Sequence, residues 1–181
     1  MELKDLIEPP TSTTLVQKAS NYARTKHFGQ RGDEGRDYYT AHIMQVVHIL
    51  HQVTNDEETI AAAYLHDTIE DTDATAKELE KLFGQRVADL VCELTHEGDK
   101  DKGYTFPRLQ SKKAILIKFA DRLSNLSRME AWPEQRQEHY LRKSVFWNRG
   151  QNKDGLREMT HSETTEYLEY RDWETDRKSV V

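Results

Sequence analysis

A run of ionisable residues near the middle of the chain could do chemistry. His66 and Asp67 follow the apolar stretch 60–64, and Glu70 and Asp71 come shortly after them. In a continuous helix, residues four apart share one face, which would place His66 beside Glu70 and Asp67 beside Asp71. Burying such charges is costly unless they are paired or bound to a metal ion. Taken alone, the run fits a divalent metal site and a solvated acidic helix end equally well.

Two further residues could complete a metal site. His42 lies near the start of a predicted apolar helix, and Asp121 interrupts another apolar run. Each has a simpler explanation, because a lone histidine is usually a hydrogen-bonded core residue and Asp121 could pair with Lys118 or Arg122. With the pair at 66–67, however, they form a mixed nitrogen and oxygen set that suits manganese, iron, cobalt or zinc. We expect Lys118 and Arg122 to be surface ion-pair partners rather than substrate contacts.

Helical periodicity accounts for most of the chain and predicts an all-α helical bundle. The predicted helices cover residues 14–27, 42–50, 56–65, 73–83, 87–94, 109–129 and 133–147. Asn55 or Asp56 would cap the third of them, and Gly84 would end the fourth. We find no strand alternation and expect a polar loop at 98–107. The predicted buried side of the helix 109–129 carries Leu116, Phe119, Ala120, Leu123 and Leu126, and Trp132 and Tyr140 are expected in the core.

Composition limits the classes of function. The net charge of −6 argues against broad nucleic-acid binding, although it permits a local basic pocket for a phosphorylated small molecule. No signal peptide or membrane segment is recognisable, so we expect no membrane partner and a cytoplasmic protein. The single cysteine excludes an internal disulfide and leaves the compartment open, with a reducing cytosol as the default. The sequence does not indicate an oligomeric state.

The 181 residues suit one domain, which we place at 1–148. Residues 149–181 contain too few apolar positions to complete a core, so we expect a poorly packed or disordered tail. The last residues, 176–181, match what a common sequencing adapter encodes in one reading frame, and we suspect that this extreme end is not native.

The combination of motifs resembles the HD superfamily of metal-dependent phosphohydrolases, and more narrowly the hydrolase domain of RelA/SpoT-type alarmone enzymes. The resemblance runs from about Ala19 to Trp147. A His-Asp pair alone is weak evidence, but His-Asp-x-x-Glu-Asp with a matching histidine before it and aspartate after it is specific. The segments that carry the resemblance are Gly29-Gln30-Arg31, Tyr39 with His42, the run 66–71, Phe83-Gly84 and the run 118–125.

The resemblance implies a function for individual residues. The metal, usually Mn²⁺ in this family, would be held by His42, His66, Asp67 and Asp121. Glu70 and Asp71 would activate or position the attacking water. Arg31 would stack on the guanine base and Asn125 would contact the nucleoside, although Arg31 fits a solvated loop charge equally well. The implied reaction removes the 3′-pyrophosphate from guanosine tetra- or pentaphosphate, a small-molecule nucleotide.

Several positions depart from the family pattern. Gly32 replaces a basic residue, Ile43 a proline, Ser124 a histidine and Arg128 a small hydroxyl residue. Three of these lie where substrate contacts are expected, whereas the metal set is intact. We therefore keep two alternatives to alarmone hydrolysis: a phosphohydrolase for another nucleotide or phosphomonoester, and a non-catalytic nucleotide-binding module.

Overall fold

The computed structural model describes residues 13–33, 35–99, 103–105 and 109–144. Within these ranges the elements follow in the order α1 (Leu15–Lys26), a π-helical turn (Tyr39–Ile43) that runs into α2 (Met44–Leu50), α3 (Glu57–Leu65), α4 (Thr68–Asp71), α5 (Ala76–Phe83), α6 (Gln85–Leu94), β1 (Glu97–Asp99), β2 (Gly103–Thr105), α7 (Lys112–Leu126), a 3₁₀ turn (Met129–Ala131) and α8 (Glu134–Ser144). The predicted all-α class is confirmed.

Side-chain caps define where the helices begin. Thr14 and Gln17 form a capping box at the start of α1. Asp56, Thr75 and Ser111 each accept a hydrogen bond from the backbone N–H three residues later, at the starts of α3, α5 and α7. These oxygens satisfy backbone donors that lack a helical partner. The cap predicted at Asp56 is confirmed, whereas α5 begins three residues after the predicted Asp73 because Thr75 is its cap.

Helix α3 forms the centre of the bundle and packs against α1, α2, α6 and α7. Ile60, Leu65 and the three alanines 61–63 are all buried. Alanine side chains allow neighbouring helices to approach closely, and burial on every side explains why this helix has no polar face. Because α3 ends at Leu65, its central position brings the next two residues, His66 and Asp67, into the interior.

The predicted buried face of α7 is wrong for Leu116, Phe119 and Leu123, although Ala120, which belongs to it, is buried. Leu116, Phe119 and Leu123 are 38%, 37% and 52% exposed, whereas Ile117 and Ala120 are buried. Apolar residues occur around most of this helix, so periodicity alone does not select the inner face. The structure turns inward the side that also carries polar residues, and those polar residues belong to the site described below.

Two other differences concern the connections. Residues 97–99 and 103–105 pair as an antiparallel hairpin, with Gly98 opposite Tyr104, where a polar loop was predicted. The short strands lack the length for a visible alternation. The helix through 66–71 is interrupted, since α3 ends before His66 and α4 starts at Thr68.

Among the described residues, no helix has both the length and the apolar character needed to cross a membrane. The predicted end of the last helix at Trp147, the tail 149–181 and its suspected non-native end 176–181 lie outside the described residues.

Candidate metal centre and adjoining pocket

Three separate parts of the fold carry the side chains of the candidate metal centre. The π-helical turn before α2 carries His42, and α7 carries Asp121. His66 and Asp67 occupy the interruption between α3 and α4, where Asp67 has φ −99° and ψ 0°. This bridge conformation is sparsely populated and common at active sites. The interruption therefore lets two consecutive side chains turn toward the same point.

The four side chains meet in the interior. His66 Nε2 lies 2.9 Å from Asp67 Oδ2. His42 Nε2 lies 3.4 Å from the same oxygen and 3.4 Å from Asp121 Oδ1. Ligand atoms of His42, His66 and Asp67 all fall within 4.8 Å of one another. The structure thus brings together the four residues that the sequence suggested as metal ligands.

The hydrogen bonds of His66 show that its outward nitrogen suits a cation. Its Nδ1 faces the Ala63 carbonyl oxygen at 2.8 Å, a contact in which Nδ1–H must donate. In the neutral ring, Nε2 is then unprotonated, and it has no hydrogen-bond partner among the described residues although Asp67 Oδ2 is close. Two electron-pair donors at this distance fit a bound metal ion, and a backbone partner on the second nitrogen is usual for metal-binding histidines.

Electrostatics keep the acidic ligands ionised. Burial acts to raise the pKa of Asp121, but the Lys118 charge and the two imidazoles outweigh it and hold the pKa at about 2. Burial likewise opposes ionisation of Asp67, yet His66 and His42 keep its pKa well below the usual range. Burial also disfavours charge on His66, but Asp67 raises its pKa to about 9. A proton and a metal ion therefore compete for the same position.

The centre forms one wall of a cavity of about 430 Å³. Four carboxylates, those of Asp67, Asp121, Glu70 and Asp71, line this cavity together with the cations of Lys118, Arg122 and Arg136. The lining residues are Tyr38, His42, Asp67, Glu70, Asp71, His96, Lys118, Asp121, Arg122, Asn125, Arg136, His139 and Tyr140. A volume of this size holds a small molecule. Cations next to a metal-binding cluster are suited to a ligand that carries several phosphates.

Lys118 and Arg122 are not surface residues, contrary to the prediction. They are 7% and 6% exposed and both line the cavity. Lys118 Nζ lies 3.1 Å from Asp121 Oδ2, so the predicted ion pair exists but is buried. The Arg122 guanidinium lies 5.0 Å from the centre of the Tyr140 ring. Their place in the sequence could have indicated this, since Lys118 comes three residues before Asp121 and Arg122 directly follows it on α7.

Arg136, at the rim of the cavity, is in contact with an aromatic ring of the segment before α8. Arg136 lies 4.2 Å from the Trp132 ring centre and forms two hydrogen bonds to Asp33, at 2.7 and 3.0 Å. Trp132 is buried as predicted and packs edge-on against Tyr140. Tyr140, predicted as core, also lines the cavity. Arg136 was missed because nothing in its local sequence distinguishes it from other helix-surface arginines.

Glu70 and Asp71 both line the cavity but are held differently. One oxygen of Glu70 accepts hydrogen bonds from the His96 backbone N–H at 2.9 Å and faces His96 Nδ1 at 2.8 Å. Asp71 is more exposed and accepts a hydrogen bond from Gln30 at 3.2 Å. His66 and Glu70 do not share a continuous helix face, because the helix is interrupted at residues 66–67. His96, just before β1, is a site residue that sequence reasoning missed.

The two expected nucleoside contacts occupy different places. Asn125 lines the cavity, and its Nδ2 donates to Asp121 Oδ1 at 2.8 Å. Arg31 is exposed in the loop between α1 and the π-helical turn, outside the cavity lining, where its Nη1 donates to the Gly35 carbonyl at 3.4 Å. The same loop is attached to the cavity rim through the pair of Asp33 with Arg136.

Comparison with known proteins agrees with this geometry. Residues 19–104 match the family model of the HD domain. The chain is 37% identical over 146 residues to the guanosine-3′,5′-bis(diphosphate) 3′-pyrophosphohydrolase MESH1 of Xenopus tropicalis, which covers 72% of this chain and 81% of that relative. A solved structure, of a metazoan ortholog of SpoT that hydrolyzes ppGpp and plays a role in starvation responses, superposes with a TM-score of 0.62 at 28% identity, covering 91% of this chain and 98% of that one.

Longer relatives match over part of their length. The guanosine-3′,5′-bis(diphosphate) 3′-pyrophosphohydrolase of Aquifex aeolicus is 32% identical over 145 residues, which are 75% of this chain and 21% of that protein. The protein named GTP pyrophosphokinase rsh in Brucella ovis is 38% identical over 138 residues, or 66% of this chain and 17% of that protein. The chain thus spans about a fifth of the length of these two relatives.

HD domains are metal-dependent, and the described part of this chain has a possible site for a metal ion at two histidines and one aspartate. The motifs, the helical fold and the match to most of the MESH1 sequence all indicate the same family. The chain belongs to the HD domain family and, within it, to the group that contains the guanosine-3′,5′-bis(diphosphate) 3′-pyrophosphohydrolases.

Proposed function

We propose that this protein hydrolyses the 3′-pyrophosphate of guanosine tetra- and pentaphosphate, releasing pyrophosphate and GDP or GTP. The observation that carries the proposal is the convergence of His42, His66, Asp67 and Asp121 on the wall of a cavity lined by Lys118, Arg122 and Arg136. The similarity to MESH1, which is named for this reaction, supports the choice of substrate. The single cysteine and the nucleotide substrate are consistent with a cytoplasmic location.

We assign the metal ion to the same four side chains, with Mn²⁺ as the native cation. Two neutral nitrogens and two carboxylates suit a borderline transition metal and leave coordination positions for substrate and water. When bound, the cation lowers the pKa of a coordinated water and neutralises charge on the phosphoryl oxygens. Tyr38 donates a hydrogen bond to Asp67 Oδ2 at 2.6 Å, which orients that ligand before any ion binds.

Glu70 acts on the attacking water together with His96. Their contacts fix the orientation of the carboxylate, so that Glu70 faces the cavity in one rotamer. A carboxylate held in this way can accept the proton that leaves the water, while the Nδ1–H of His96 stays its hydrogen-bond donor. Asp71, held more loosely by Gln30, completes the acidic pair and positions the water.

The cationic side chains bind the phosphates. Lys118 and Arg122 lie beside Asp121, where they face the reacting phosphate, and Arg136 lies at the rim, where it suits a phosphate farther from the centre. Charges fixed in advance in a partly enclosed cavity stabilise developing negative charge without reorganisation. Asn125 binds the nucleoside from its place next to Asp121, and Arg31 stacks on the base by turning in from the loop that Asp33 attaches to the rim.

One alternative substrate class rests on a specific observation. Arg128 donates to Asn125 Oδ1 at 2.9 Å, so the amide expected to read the nucleoside is already engaged on both sides. This engagement favours a phosphohydrolase that makes fewer nucleoside contacts, acting on another nucleotide or on a phosphomonoester. A non-catalytic nucleotide-binding module is the remaining alternative.

A substrate panel tests these possibilities. The protein with Mn²⁺ is incubated with guanosine tetraphosphate, GTP and a simple aryl phosphomonoester, and the products are separated by anion-exchange chromatography. We expect equimolar GDP and pyrophosphate from the first substrate and no orthophosphate from the last.

His66→Ala should abolish turnover, whereas His48→Ala, at an exposed position on α2, should leave it unchanged. Orthophosphate from the monoester alone would replace alarmone hydrolysis by the first alternative. Nucleotide binding that is the same in wild type and Glu70→Gln, with turnover in neither, would replace it by the second.

A further inference from the structure

Arg128 lies behind the metal centre rather than in the cavity. It follows α7, and its guanidinium reaches back to the π-helical turn, where Nη2 lies 3.0 Å from His42 Nδ1. The same nitrogen donates to Asn125 Oδ1 at 2.9 Å, and Nε donates to the Ser124 carbonyl oxygen at 3.2 Å. Gly32 lies near the same guanidinium, since a Cβ there would be 3.8 Å from Arg128 Nη1. Arg128 therefore acts on a metal-site histidine from its far side.

A second group contacts the same nitrogen of His42, and its direction of hydrogen bonding can be deduced. Ser124 Oγ lies 3.0 Å from His42 Nδ1 and also donates to Gln45 Oε1 at 3.2 Å. Gln45 is oriented by its amide nitrogen, which donates to Ser127 Oγ at 2.8 Å. Because the hydroxyl hydrogen of Ser124 points to Gln45, its oxygen can accept from His42 Nδ1–H. Ser124 thus favours the tautomer that carries its proton on Nδ1.

The two contacts favour opposite tautomers of the neutral ring. A guanidinium only donates, so Arg128 forms a hydrogen bond to His42 only when Nδ1 is unprotonated and the proton is on Nε2. Without a metal ion, a proton on Nε2 also faces the carboxylates of Asp67 and Asp121, each with an oxygen 3.4 Å away. A metal ion needs the electron pair of Nε2, and the ring must then carry its proton on Nδ1, where it would meet the N–H of Arg128. The guanidinium charge also opposes a nearby cation. Ser124 therefore favours metal binding at His42, and Arg128 opposes it.

We propose that Arg128 is a positioning residue that lowers the metal affinity of the centre, because its guanidinium occupies the space that the Nδ1–H of a metal-bound His42 needs. The proposal rests on the metal site assigned above and extends it, because a residue that is not a ligand then sets the metal concentration at which the site is filled. Outer contacts of metal-binding histidines commonly change affinity by about 10-fold or more. We expect a change of about that size here, in the direction of tighter binding when Arg128 is removed.

Mn²⁺ binding measured by electron paramagnetic resonance tests the proposal without any substrate. The dissociation constant is determined for wild type, Arg128→Met, Ser124→Ala and Arg24→Met, the last removing an exposed arginine on α1. We expect Arg128→Met to bind about 10-fold more tightly, Ser124→Ala about 10-fold more weakly, and Arg24→Met like wild type. Arg128→Met binding equally or less tightly than wild type would overturn the proposal. No binding by wild type would reject the metal site itself, which distinguishes the two failures.

The position of the proton on His42 can also be observed directly, without any metal ion. ¹⁵N NMR of chelator-treated protein distinguishes a proton on Nδ1 from one on Nε2, and signals missing in His42→Gln identify the ring. We expect a smaller fraction of His42 rings to carry a proton on Nδ1 in wild type than in Arg128→Met, because the carboxylates that face Nε2 are the same in both proteins. An equal fraction in the two proteins would overturn the proposal.

Discussion

Replacing Lys118 by methionine should destabilise the protein strongly without metal and much less with it. Lys118 Nζ lies 3.1 Å from Asp121 Oδ2, and both residues are buried. At an effective dielectric constant of about 20, this distance corresponds to an attraction of about 5 kcal/mol. Burial of the ammonium offsets part of it, but the variant leaves Asp121 as a buried charge with less compensation, so we expect a net loss of about 3 kcal/mol.

A divalent ion on Asp121 would supply the compensation that Lys118 otherwise gives. The free energy of unfolding is therefore measured by urea denaturation of wild type and Lys118→Met, each with chelator and with saturating Mn²⁺. We expect the loss to fall below about half its chelator value when Mn²⁺ is present. Lys26→Met is the control, because its partner Asp73 is exposed and such pairs contribute about 1 kcal/mol or less. An equal loss of stability in both conditions would refute the idea that the metal ion and Lys118 act on the same carboxylate.

Three further predictions concern catalysis, substrate binding and pH. His96→Gln and Glu70→Gln should each lower kcat by about 100-fold with little change in the Mn²⁺ dissociation constant. The double variant should be no slower than the slower single variant, because the two residues act together. Stopped assays measure kcat, and a binding titration measures the dissociation constant. Arg136→Gln should raise KM for guanosine tetraphosphate by about 10-fold and change kcat less, because its charge lies at the rim; steady-state kinetics showing the reverse would place it at the reacting phosphate. The Lys113 side chain is the main cause that lowers the pKa of Asp56 to about 2. The stability that ionised Asp56 contributes is therefore present above its unfolded pKa, near 3.8, and is lost as pH falls through 2. Asp56→Ala should cost about 1 kcal/mol at pH 7 and progressively less below pH 4, and a cost that does not change with pH in urea denaturation would contradict the assignment.

Residue type and order were enough to predict most of the helices and to select His42, His66, Asp67 and Asp121 as candidate ligands. Asp56 and Gly84 mark helix ends through local chemistry that does not depend on the rest of the fold. His42, His66 and Asp121 stand out because each is an ionisable group within an apolar context, where burial requires a partner. Such features are visible in a single sequence because the cost of an unpaired buried charge is large everywhere in a protein.

The surroundings of the centre depended on tertiary packing and could not be predicted in the same way. Lys118 and Arg122 are buried because α7 turns its more polar side inward, a choice that its apolar residues on several sides leave open. His96 reaches Glu70 because a hairpin too short for a recognisable pattern follows α6. Arg128 faces His42 across 86 sequence positions, a contact that no local spacing indicates.

The central claim is that four side chains from three parts of the chain bind one divalent ion. A crystal structure of the protein grown with Mn²⁺, with anomalous diffraction data collected near the manganese edge, measures this most directly. We predict a single strong anomalous peak within about 2.3 Å of His42 Nε2, His66 Nε2 and carboxylate oxygens of Asp67 and Asp121. An empty centre at saturating Mn²⁺, or a peak bound by other residues, would contradict the claim.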